Sequence, residues 1–159
     1  MREGHYVILC SSLHGVAFIV SVLRRAEHKA RHVTIMWDPG ASQSRAVDKL
    51  HMAQIRQVTG NGRHKPTMLE GLHQANYRKA QMHLAHTVVI LSGRTGMAHL
   101  DHTGYLADGD ATVAQLLDDY SMSICIDVLQ YLDSSKTRVV VELNGNDHVY
   151  QYEIIKSNR

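Results

Sequence analysis

Five short runs of aliphatic and β-branched residues recur along the chain, separated by segments whose apolar positions fall at helical spacing. That alternation is the strongest constraint on what the chain can fold into. The run at 4–10, Gly-His-Tyr-Val-Ile-Leu-Cys, has no alternating polar residue and reads as a strand buried on both faces. A second strand is expected at 33–37, closed by the turn Asp38-Pro39-Gly40. Residues 55–58 read as a weaker third strand, 86–92 as a fourth and 137–143 as a fifth.

Between them, Val16, Ile19, Val20 and Leu23 mark a helix over 15–27, with Ser11 and Ser12 placed to cap it. Ala46, Leu50 and Ala53 mark a polar helix over 42–53. Residues 67–74 read as a short helix, and 75–80 show no clear period. The glycine- and histidine-bearing stretch 93–109 reads as an exposed loop. Asp108 or Asp110 then caps a long helix ending near Leu132, and a last helical piece follows Asn144 and ends near Ser157. Strands alternating with helices pair in parallel through right-handed crossovers. The expected fold is therefore α/β: a doubly wound, mainly parallel, Rossmann-like sheet in a single domain over 1–159.

Length and charge agree with that expectation. One domain suits 159 residues, and a 44% hydrophobic content excludes intrinsic disorder. Seventeen basic against fifteen acidic residues leave a formal charge of +2, which argues against a dedicated nucleic-acid binder. The two cysteines, Cys10 and Cys125, are too few for a disulfide framework, so a reducing, cytosolic setting is expected. The longest apolar stretch, 16–23, falls far short of the ~20 residues that span a bilayer.

In such a sheet the ligand crevice lies at the carboxyl ends of the strands. A dinucleotide fingerprint would place three glycines after the first strand. The chain has Cys10-x-Ser12-x-x-Gly15, where only the last glycine remains, so NAD is not expected. Asp38 stands where an acid would meet a ribose, although a turn accounts for it equally well. His99, Asp101 and His102 offer imidazole and carboxylate ligands for a borderline metal, against a reading as surface residues. Asp101, Asp108, Asp110, Asp118, Asp119, Glu142 and Asp147 supply carboxylates for a hard cation, but no EF-hand pattern orders them. Asp108 and Asp110 also serve as ordinary charges at a helix amino end. There is no Gly-x-Ser-x-Gly and no Walker motif, so no enzyme activity is expected.

The segment order resembles the RCK domain, the cytosolic regulator of potassium conductance, most of all that of Slo-type (BK-like) calcium- or sodium-activated channels. The opening strand His5 to Cys10, followed by eroded dinucleotide glycines, is similar to the family's first strand. Val58-Thr59-Gly60 with Leu69-Glu70 and Ala75, then the strand 86–92, the acidic helix start at 108–112 and Val139 to Asn144 follow the family's order. The resemblance covers nearly the whole chain by pattern, without an invariant motif. It implies a ligand-sensing regulatory domain on the cytoplasmic side of a membrane, in a homo-tetrameric ring of RCK domains joined to a potassium-channel pore. It also implies that the family's assembly helices would follow residue 159, so that the chain is a fragment of a larger subunit. Calcium or sodium is the implied ligand, with Asp38, Asp108, Asp110 and Glu142 the residues expected to contact it. The BK calcium bowl is absent. The alternative is a small Rossmann-type nucleotide-binding oxidoreductase, and a third reading is a scaffold that keeps only packing surfaces.

Overall fold

The computed structural model describes residues 4–13, 15–26, 32–38, 45–59, 65–92, 110–132 and 136–143, with the backbone alone over 110–117. Five strands, β1 (Tyr6–Cys10), β2 (Val33–Trp37), β3 (Thr67–Glu70), β4 (Thr87–Leu91) and β5 (Arg138–Val141), form one sheet in the order β3-β2-β1-β4-β5. Every pairing is parallel, with Tyr6 level with both Val33 and Thr87. Helices α1 (Val16–Ala26) and α2 (Arg45–Thr59) pack on one face. Helices α3 (Gln74–Lys79) and α4 (Asp110–Leu132), with a 3₁₀ turn at Met82–Leu84, lie on the other. The chain therefore has the doubly wound, Rossmann-like α/β fold.

The central strand explains why. Each side chain of β1 is buried, and successive residues feed opposite cores. Tyr6, Ile8 and Cys10 join Val33, Ile35 and Trp37 beneath α1 and α2. Val7 and Leu9 join Met36, Val88 and Ile90 beneath α4 and the 3₁₀ turn. Burying an aliphatic side chain of this size contributes about 1.5–3 kcal/mol, so a strand apolar on both faces is stable only between two helical layers. Helix α1 presents Val16 and Val20 inward and leaves Phe18 and Val22 outward, as a period of 3.6 requires. Arg24 ties the layer together, its Nη1 donating to the Thr59 carbonyl at the end of α2, 2.8 Å away.

Two expectations require correction. Residues 55–58 are not a strand; they are the last turn of α2. Asp48, Ile55 and Thr59 are buried and Met52 half-buried, a stripe at spacings of three and four, while Arg56 and Gln57 point outward. A strand would have alternated. The third strand is instead β3, in the segment expected to be helical. It is a four-residue edge strand with no fully buried side chain, entered from Pro66, which tolerates an edge because it has no N–H to offer the ladder. The unperiodic stretch after it contains α3, fixed by Asn76, whose Nδ2 donates to the carbonyls of Glu70 (2.7 Å) and Gly71 (2.9 Å). The expected final helix near Ser157 lies outside the described residues. Among the described residues, no helix is long and apolar enough to cross a membrane.

Candidate functional site

The strand order places the topological switch between β1 and β4: the chain leaves β1 toward β2 on one side and returns to β4 on the other. Ser11 and Ser12 follow β1, both nearly buried, and Gly15 then opens α1 at φ +73°. A Cβ at Gly15 would meet nothing within 4 Å, so the left-handed backbone, not crowding, calls for glycine there. The other fingerprint positions are filled by Cys10 and Ser12, as the sequence indicates. The Cys10 thiol is buried and donates to the Met36 carbonyl at 3.5 Å, and burial pushes its pKa up. It is a packing group and not a nucleophile. Cys125 lies in the other core, so the sheet separates the two thiols.

Across the crevice, Ser92 follows β4 and Glu142 follows β5. The Glu142 backbone N–H donates to Ile90 (2.8 Å), which continues the ladder. Its carboxylate is then held by two donors from one residue, the Ser92 N–H at 3.1 Å and the Ser92 hydroxyl at 3.3 Å, both to Oε2. Glu142 stays exposed to solvent while fixed in direction. The arrangement is an oriented carboxylate beside the Ser92 hydroxyl, hard oxygen donors suited to a small cation and poorly suited to a phosphate.

Asp38 follows β2 and is half-buried. It meets Tyr120 of α4, whose hydroxyl pKa is raised first by burial, then by the Asp38 charge and hydrogen bond, with Cys10 also near. The phenol therefore reaches over the carboxyl ends of β1 and β2 and occupies the carboxylate expected to meet a ribose. Asp38 and Glu142 do not converge. Three strand spacings separate their strands, about 14 Å, whereas ligands of one calcium ion lie about 2.3–2.6 Å from it. Asp118 is fully buried and Asp119 exposed, on different sides of α4, so they form no pair either.

Asp110 opens α4, with its side chain outside the described residues. Asp108, Asp147 and the set His99, Asp101 and His102 lie wholly outside them. Among the described residues, no group of three His, Cys, Asp or Glu side chains could hold a metal ion. Sequence reasoning missed Ser92 and Tyr120. Ser92 was legible only as the end of a strand, and nothing local to Tyr120 points to a residue 82 positions earlier. No protein-family model matches the chain, and no curated protein matches it.

Proposed function

We infer that the chain is a ligand-sensing regulatory domain of the RCK type, which couples the binding of a small cation, calcium or sodium, to the gating of a potassium-channel pore. The observation that carries this reading is the Glu142 carboxylate, oriented by Ser92 beside the switch point, in a fold whose first loop carries Ser12 where a dinucleotide site would have a glycine. A cation held by Glu142 and Ser92 would bias the relative positions of the segments that follow β4 and β5. The bias can be no larger than the difference in the ion's affinity for the two arrangements. Partner RCK domains in a ring and a pore in the same subunit belong to this proposal.

A nucleotide-binding oxidoreductase is favoured by one feature, Asp38 at the end of β2 in a β3-β2-β1-β4-β5 sheet. Against it stand the filled glycine positions and the engagement of Asp38 by Tyr120. Calorimetric titration of the chain with calcium, sodium, zinc and NAD separates the readings. The sensing reading expects heat with calcium or sodium that is lost in Glu142→Gln. Binding of NAD alone reverses the order, and silence from all four removes both.

A further inference from the structure

A formal charge of +2 conceals a strong segregation. All five strands start at one edge of the sheet, and α1, α2 and α3 run back to end there. Their last turns bring Arg24 and Arg25, Arg56, and Arg78 and Lys79 to that edge. Lys65, Lys136 and Arg138 join them at the starts of β3 and β5. Eight of the ten Lys and Arg side chains among the described residues thus gather at the amino edge, and seven of the eight are exposed. Of the described Asp and Glu only Asp127 comes near, about a turn and a half before the end of α4 and engaged by Gln74 and Tyr77 of α3. Asp38, Glu70 and Glu142 end strands, Asp48 is in the first turn of α2, and Asp110, Asp118 and Asp119 lie in the first half of α4.

Helix dipoles do not account for this. A helix carboxyl end carries about half a negative charge, which one basic residue more than offsets. Helices α1 and α3 carry two each, and the three cations at strand starts complement no dipole. The edge is broad and blunt, about 19 Å across its five strands with a helical layer on either side. Val22 near the end of α1 and Val58 at the end of α2 are 45% and 39% exposed and add apolar contact at its rim.

We propose that this basic amino edge docks the chain on an anionic phospholipid surface. Nucleic acid fits less well. Single strands need exposed aromatic platforms, but Tyr6 and Tyr77 are buried and Tyr131 is half-buried. Reading a duplex groove needs a helix laid along it, and here the helices arrive end-on. A blunt cluster of cations with marginal apolar contacts suits a plane of lipid headgroups. The surface lies opposite the Glu142 crevice, so this proposal and the cation-sensing reading stand or fall separately.

The test is co-sedimentation of the full chain with phosphatidylcholine vesicles, with and without phosphatidylserine. Binding is expected only with phosphatidylserine and is expected to fade as salt is raised. Each cation near an anionic surface is worth about fivefold in partitioning, so the combined Lys65→Gln, Arg78→Gln and Lys136→Gln variant should bind about a hundredfold more weakly. Arg45→Gln with Lys49→Gln, in the first two turns of α2, should bind within about twofold of the parent. An unchanged melting temperature confirms that the edge variant is folded. The proposal is overturned by equal binding to neutral vesicles, by no binding to anionic ones, or by an edge variant that binds as the parent does. Tighter retention by duplex DNA or RNA than by anionic vesicles also overturns it and makes the edge a nucleic-acid surface.

Discussion

Raising the pH probes how completely the two cores enclose their titratable groups. Burial pushes the Cys10 thiol well above its ordinary value of 9.0. Burial first, then the hydrogen bond and charge of Asp127, pushes the Tyr77 hydroxyl above its ordinary 10.0. Both groups keep their protons in the folded chain at a pH where the unfolded chain has released them. The unfolded state then binds fewer protons, so stability is complete below the unfolded values and falls as the pH rises past them. Each pH unit beyond the unfolded value removes about 1.4 kcal/mol per group. At about pH 11 the loss is about 3 kcal/mol from Cys10 and about 1 from Tyr77, roughly 4 kcal/mol together. For a chain of this size that lowers the melting temperature by roughly 8–16 °C. Tyr120, more than one-third exposed, adds in the same direction. Thermal melts followed by circular dichroism across the alkaline range measure the slope. Cys10→Ala isolates the earlier group: it melts lower at neutral pH because of the cavity, yet loses less between about pH 9 and 10. A melting temperature that stays level across this range, or a variant curve parallel to that of the parent, would refute the reasoning.

Asn76→Ala leaves two carbonyls at the end of β3 without their donor and should destabilise the chain by about 2 kcal/mol, read from a denaturant midpoint. Gly71→Ala should cost about 1–3 kcal/mol, because Gly71 sits at φ +96° and an added Cβ would lie 2.8 Å from the His73 ring. Ile55→Ala should cost about 2–4 kcal/mol and Val58→Ala less than about 0.5, read from denaturant midpoints, because Ile55 is buried under α1 and the sheet while Val58 is 39% exposed.

Those last two residues show where sequence reasoning succeeds and where it stops. Strands β1, β2 and β4 are legible because strands buried on both faces leave long apolar runs that nothing else explains. An edge strand only half-buried on each face leaves no such run. Thr67, Met68, Leu69 and Glu70 look like helix, while Ile55 and Val58, three apart in a true helix, imitate a strand. The positions of Asp38 and Glu142 could be read from the strands they terminate. That Ser92 would grip Glu142, or that Tyr120 would cover Asp38, could not, because such contacts join positions 50 and 82 apart that only the finished sheet brings together. The basic edge was hidden for a related reason: its cations are scattered in sequence and converge only because parallel topology brings every strand start to one side.

The same topology bears on how the chain is made. Of the five strands β1 is the first to leave the ribosome, yet its second edge stays open while β2 and β3 build on the first, until β4 arrives. From Cys10 to Thr87 translation takes roughly 4–15 s at typical rates, and throughout that time the most apolar strand has an unpaired edge. An open edge of this kind invites pairing with other chains. The nascent chain is therefore most exposed to aggregation in mid-synthesis, and that exposure ends when β4 docks.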